Sequence, residues 1–182
     1  MIIGVGIIGL LSVKILKNKY KIENITAIDI SDKKLEVAAK NGANLLINLK
    51  EKDWKSIKLL NNNPTLSGSY DAVVDFVSSS QSIAIAIANL KMKGTLVVTG
   101  ITHGDIVIDK LSYFSILTKE LEIKGSICYV KKDFQDVIDM LANKIIKIDD
   151  VISAKYNLEE VAKAFKDWEK NYSEWYKVLL KP

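Results

Sequence analysis

The chain has no arginine; all 26 of its basic residues are lysine. That absence removes the guanidinium fork, which grips a phosphate with two parallel hydrogen bonds. Any phosphate contact therefore falls to backbone N–H groups or to lysine. Cysteine is almost as scarce. With Cys128 alone no internal disulfide can form, and a reducing cytoplasm is the default expectation. The longest apolar runs fall well short of the roughly 20 residues that a membrane span requires. No charged segment precedes an apolar core at the start, and no cleavage site follows, so the beginning reads as a strand and not as a signal peptide. The net charge of +4 is mild and spread along the chain, which points to neither nucleic acid nor membrane as a partner.

What is present is the composition of an ordinary soluble globular protein, 48% hydrophobic and 26% charged. A length of 182 residues suits one full domain or a domain with an appendage. The most informative stretch is the first ten residues. Ile2 and Ile3 lead into Gly4-Val5-Gly6-Ile7-Ile8-Gly9, and a helical run through Leu10, Leu11, Lys14 and Ile15 follows. Three glycines at this spacing, between a strand and a helix, are the fingerprint of a phosphate-binding turn. They serve a tight bend, close approach of backbone to a pyrophosphate, and close packing of helix on strand. The unpaired N–H groups and the positive end of the helix then face the anion.

A second apolar strand, Ile25-Thr26-Ala27-Ile28-Asp29, ends in a carboxylate 20 residues beyond Gly9. An acid at that place can accept hydrogen bonds from the two hydroxyls of an adenosine ribose, and it repels a 2′-phosphate. It therefore argues for NAD over NADP. Asp29 could instead cap the following helix, but Ser31 and Asp32 are better placed for that.

Helix and strand alternate from there. The pattern predicts helices over 7–18 and Lys33–Lys40, a strand at Leu45–Asn48, a helix over Lys50–Leu60, and a loop from Asn61 to Ser69. Tyr70–Val77 reads as a strand buried on both faces, followed by a helix over Ser82–Leu90 and a strand over Gly94–Gly100. Two more strands are expected at Asp105–Asp109 and Leu121–Cys128, with a short helix around Leu111–Leu117 between them. The remainder predicts helices near Lys132–Asn143 and Leu158–Lys170, with strands at Ile152–Tyr156 and Trp175–Lys181. The expected fold is α/β: a Rossmann-type doubly wound parallel sheet over residues 1–126, with a C-terminal α+β extension over 127–182.

Several ordered segments together resemble the C-terminal, NAD-binding part of the medium-chain, zinc-type alcohol dehydrogenases. They are Asp29-Ile30-Ser31-Asp32-Lys33-Lys34-Leu35 with Ala38-Ala39-Lys40-Asn41-Gly42-Ala43, then Tyr70–Asp75, Lys93–Gly100, Leu121–Ser126 and the closing Lys177–Pro182. The resemblance implies that Gly4, Val5, Gly6, Ile7, Ile8 and Gly9 hold the pyrophosphate, and that Asp29 and Lys34 hold the adenosine ribose. It places Phe76 and Val77 along the adenine side and centre of the site, and Thr99, Gly100, Ile101, Ser126 and Cys128 at the nicotinamide through backbone groups. Lys177 matches a basic position near the pyrophosphate; Lys34 and Lys177 read equally well as solvated surface charges. The strand Leu121–Ser126 implies pairing into a homodimer.

The departure from that family is the absence of its N-terminal catalytic domain, which carries the zinc ligands. A catalytic zinc needs three protein ligands and an open position. His103 and Cys128 are the chain's only His and Cys and lie in different segments, so His103 reads as a loop residue and Cys128 as a small buried hydrophobe near the cofactor. The short first strand, and apolar faces at Val137, Ile138, Leu141, Val161, Phe165 and Trp168, mark the chain as a fragment lacking packing partners. The implied activity is the NAD(H)-binding share of an alcohol or polyol dehydrogenase, not competent alone; the alternative is a free-standing NAD(H) sensor without chemistry. No Tyr-x-x-x-Lys is present for a short-chain dehydrogenase, and no acid precedes the glycines as a methyltransferase would have.

Overall fold

A computed structural model describes residues 1–50, 68–102 and 104–182. The predicted helix over Lys50–Leu60, most of the loop after it, and His103 lie outside the described residues. Eight strands occur among the described residues: β1 (Ile2–Ile3), β2 (Thr26–Asp29), β3 (Leu45–Asn48), β4 (Tyr70–Asp75), β5 (Leu90–Val98), β6 (Glu122–Gly125), β7 (Ile152–Asn157) and β8 (Lys177–Lys181). Six α-helices join them: α1 (Ile7–Asn18), α2 (Asp32–Lys40), α3 (Ser80–Asn89), α4 (Lys110–Thr118), α5 (Lys131–Ala142) and α6 (Val161–Asn171). The first six strands form one parallel sheet in the order β3-β2-β1-β4-β5-β6. That is the doubly wound Rossmann arrangement, with its reversal of strand order between β1 and β4.

Successive residues of the central strands feed opposite faces, as the two-residue period of a strand requires. Ile3, Ile28, Val73 and Leu96 join Ile83, Ile85, Ala86 and Ile87 in one core. Ile2 and Ala27 join Leu10 and Val13 of α1 and Leu35 and Ala38 of α2 in the other. Helix α3 is buried almost all round, from Ser82 to Ile87 and again at Asn89, which suits its uninterrupted apolar run from Ile83 to Ala88. Its last turn is closed by Lys119, whose ammonium donates to the carbonyls of Ile87, Ala88 and Leu90 at 2.9–3.3 Å. Burial pushes that ammonium below its ordinary 10.5.

The extension holds β7 and β8, a parallel pair crossed by α6. It is fastened to the first unit by polar contacts. The buried Lys14 of α1 pairs with Asp150 and donates to the Lys147 carbonyl at 2.6 Å, and Asn41 donates to the other Asp150 oxygen at 2.8 Å. Lys33 pairs with Glu174 at 2.6 Å, and the Tyr176 hydroxyl donates to the Lys34 carbonyl at 3.2 Å.

The predicted strand at Asp105–Asp109 is not formed. Its backbone is engaged elsewhere: Ser80 Oγ accepts from the Val107 N–H at 2.8 Å and donates to the Asp105 carbonyl, while Asp109 caps α4 by accepting from Leu111 and Ser112. Strand β6 stops at Gly125, short of the expected Cys128, and β5 begins four residues before Gly94. Cys128 is exposed, not buried as expected, because it follows the strand's end in a left-handed conformation with φ of 56°. Of the residues on the faces expected to lack partners, Val137, Ile138, Val161, Phe165 and Trp168 are exposed, while Leu141 is half-buried. Among the described residues, no helix is long and apolar enough to cross a membrane.

Candidate dinucleotide site

The carboxyl ends of β1, β2 and β4 open onto a cavity of about 540 Å³ beside the point where strand order reverses. Ligands of such sheets bind at that point, outside the carboxyl ends of the strands. Of the residues expected at a cofactor, Gly4, Gly6, Ile7, Ile8, Gly9, Asp29, Lys34, Phe76 and Val77 line it. Val5 lies directly beneath, fully buried.

Two of the three glycines are held to their type by different circumstances. Gly4 has φ of +83°, and a Cβ there would meet Val77 Cγ2 at 2.9 Å. A Cβ on Gly9 would be driven into the Gly4 carbonyl oxygen, so helix and turn touch backbone to backbone. Gly6, the N-cap of α1, has nothing within 4 Å of where its Cβ would be. That open space adjoins the first-turn N–H groups of α1, and no side chain caps them. Backbone donors without a protein partner at a helix N-terminus suit an anion.

Asp29 is the carboxylate of the cavity. Its Oδ2 accepts from the Val5 N–H at 2.8 Å, and its Oδ1 accepts from the N–H groups of Ile30 at 2.8 Å and Ser31 at 3.0 Å. Ser31 caps α2 through its own hydroxyl, so the helix does not depend on Asp29 for that role. Burial, with the charges of Asp29 and Asp150 adding to it, pushes the nearby Tyr176 phenol well above its ordinary value.

The other expected residues are not gathered here. Lys177 lines a second cavity of about 360 Å³ with Phe165, Trp168, Tyr176 and Leu180, and Ile7 is common to both cavities. Thr99 and Gly100 direct their N–H groups at the Asp75 carbonyl, at 3.0 and 3.4 Å. The Ser126 N–H bonds to the Val98 carbonyl at 3.0 Å, and Ile101 and Cys128 are exposed. None of these five lines either cavity.

The sequence reading passed over the buried Asp75. Its Oδ1 accepts from Val77 and Ser78 N–H groups at 2.9 and 3.0 Å, and its Oδ2 accepts from Ser82 Oγ at 2.7 Å. It thereby shapes the turn that brings Phe76, Val77, Ser79 and Ser82 to the cavity. An acid closing an apolar strand, with serines three and seven residues later, was the available signal. Ser78 pays for the turn twice: φ is 53°, and its buried hydroxyl has no hydrogen-bond partner among the described residues.

Residues 8–143 match the model of the zinc-binding dehydrogenase family. The chain belongs to that family. It is 31% identical to an alcohol dehydrogenase of Geobacillus stearothermophilus over 81% of this chain and 40% of that protein. Among solved structures, an Escherichia coli CFT073 short chain alcohol dehydrogenase (rspB), complexed with NADH, superposes with a TM-score of 0.85. It shares 25% identity over all of this chain and 51% of that one. A zinc-binding dehydrogenase of Sinorhizobium meliloti 1021, bound to NADP, superposes at 0.80 with 23% identity over all of this chain and 51% of that one. The chain spans about half the length of the relatives it matches. It is the nucleotide-binding part of an alcohol and polyol dehydrogenase family. Among the described residues no three His, Cys, Asp or Glu side chains stand together as metal ligands.

Proposed function

We propose that this chain is the NAD(H)-binding portion of a zinc-dependent alcohol or polyol dehydrogenase, with residues 1–126 as the dinucleotide-binding domain and 127–182 as the segment that packs on a catalytic domain. The observation that carries this is one cavity lined by both the uncapped α1 N-terminus at Gly6 and the Asp29 carboxylate. Backbone N–H groups of the Gly4–Gly9 turn receive the pyrophosphate, a task that a chain without arginine leaves to backbone donors and lysine. Asp29 and Lys34 hold the adenosine ribose, and the Asp29 charge disfavours a 2′-phosphate, so NAD is preferred to NADP. Phe76 and Val77 wall the cavity, while Thr99, Gly100, Ile101, Ser126 and Cys128 frame the nicotinamide and Lys177 neutralises phosphate charge. The nicotinamide, when bound, exchanges a hydride with an alcohol carbon; the zinc that polarises the alcohol belongs to a catalytic domain, and this chain is not competent alone.

Strand β6, paired only with β5 among the described residues, offers a free edge for a homodimer through Leu121–Ser126. A second reading is an NAD(H)-binding module without chemistry. Fluorescence titration with NADH and NADPH tests the common part of both readings. Micromolar NADH binding with NADPH much weaker is expected; no binding of either would refute it.

A further inference from the structure

We infer that Asp29 is the anchor of the phosphate turn as well as the ribose acceptor, so that discrimination at the 2′ position and grip on the phosphates are set by one side chain. The inference rests on reading the cavity as a dinucleotide site and adds a second task for this residue. Two successive N–H groups of the turn are tied to the end of β2: Gly4 donates to the Ile28 carbonyl at 2.8 Å, and Val5 donates to Asp29 Oδ2 at 2.8 Å. The first is a sheet bond that any residue at position 28 would supply. The second depends on the Asp29 side chain and crosses from β2 to the loop at the one place where Gly4 turns left-handed.

The carboxylate is itself fixed. Its other oxygen takes the Ile30 and Ser31 N–H groups, so three backbone donors hold it against β2 and orient it toward the turn. Two carboxylate oxygens offer about four acceptor positions, which leaves about one for a ribose hydroxyl. Bonds from N–H groups to a charged acceptor are the strong kind. Removing the carboxylate leaves the buried Val5 N–H without a partner and frees the turn just ahead of Gly6, where the phosphate approaches.

A change at Asp29 made to admit a 2′-phosphate therefore loosens the phosphate site at the same time. Inorganic pyrophosphate isolates this role, because it has no ribose. The full chain and its Asp29→Ala and Asp29→Asn variants would be compared in two ways. Amide hydrogen exchange at Val5, without nucleotide, should be about tenfold faster or more in Asp29→Ala. Asp29→Asn keeps the shape and one acceptor oxygen, so it should fall between, and it carries the test if the alanine variant does not fold. In competition against NADH, pyrophosphate should bind about tenfold more weakly to Asp29→Ala, and NADPH should gain nothing. Unchanged Val5 exchange, or unchanged pyrophosphate affinity with tighter NADPH, would overturn the anchor. If the unaltered chain binds neither NADH nor NADPH, the dinucleotide reading fails, and Val5 exchange alone decides the anchor.

Discussion

On the β1–β2 side of the sheet's carboxyl edge, a turn, a strand-end carboxylate and a helix N-terminus within the first 34 residues line one cavity, the carboxylate accepting from the turn's Val5 N–H, and Phe76, Val77, Ser79 and Ser82 join the lining. On the β5–β6 side the same edge carries Ile101, Ile127 and Tyr129, each about three-quarters exposed. One half of the edge is completed by its own chain. The other presents apolar side chains to solvent, which only a further protein surface or a ligand would cover. The cavity side is built largely from one local motif, whereas the β5–β6 side is assembled from distant segments.

This contrast can be tested by substitution on each side. The largest effect belongs to Gly9→Ala. Forcing a Cβ into the Gly4 carbonyl should cost about 3 kcal/mol or more and abolish NADH binding, read by chemical denaturation and fluorescence titration. Next is the clasp of the extension. Asp150→Ala should cost about 2 kcal/mol, because it leaves a buried Lys14 with one carbonyl partner.

The same pair gives a pH dependence. Burial pulls the Asp150 carboxyl upward, but hydrogen bonds from Lys14 and Asn41 and the Lys14 charge outweigh it and hold it below its ordinary 3.8. Its contribution is therefore complete above 3.8 and is lost as pH falls through the depressed folded value. Melting followed from pH 6 to pH 3 should show that loss in the native chain and a smaller one in Asp150→Ala.

Smaller effects separate the two sides further. Gly6→Ala should weaken NADH by about tenfold while changing stability by less than about 1 kcal/mol, since its Cβ enters open space that a phosphate would occupy. Ser78→Gly should raise stability by about 1 kcal/mol by relieving a left-handed serine and removing a buried, unpartnered hydroxyl. Cys128→Ser should move stability by less than about 0.5 kcal/mol and leave NADH affinity within about twofold. A large effect of Cys128→Ser on nucleotide affinity would mean that the β5–β6 side is more complete than its exposure indicates.

The legibility of the sequence follows the same divide. The glycine turn was readable because its bend at Gly4 and its backbone-to-backbone packing at Gly9 need glycine at fixed spacing. The parallel strands were readable because Tyr70–Asp75 and its neighbours are apolar runs between turn signals. Asp105–Asp109 misled because alternating Ile106 and Ile108 fit a strand's period, while Ser80, which takes the Val107 N–H, lies on another helix. Cys128 misled because nothing local reveals that β6 ends at Gly125 or that the next turn faces outward. Asp75 escaped notice because its partners are mostly backbone N–H groups, and backbone donors leave no residue signature.

The shortest strand has a mechanical meaning. β1 pairs Ile2 and Ile3 with Ala27 and Ile28 on one side and Val74 and Asp75 on the other, and Met1 extends the second contact by donating to the Ala72 carbonyl and accepting from the Val74 N–H. The glycine turn, which begins at the next residue, is therefore tied to both halves of the sheet at once, by the Gly4 N–H on the Ile28 carbonyl and the Phe76 N–H on the Ile3 carbonyl.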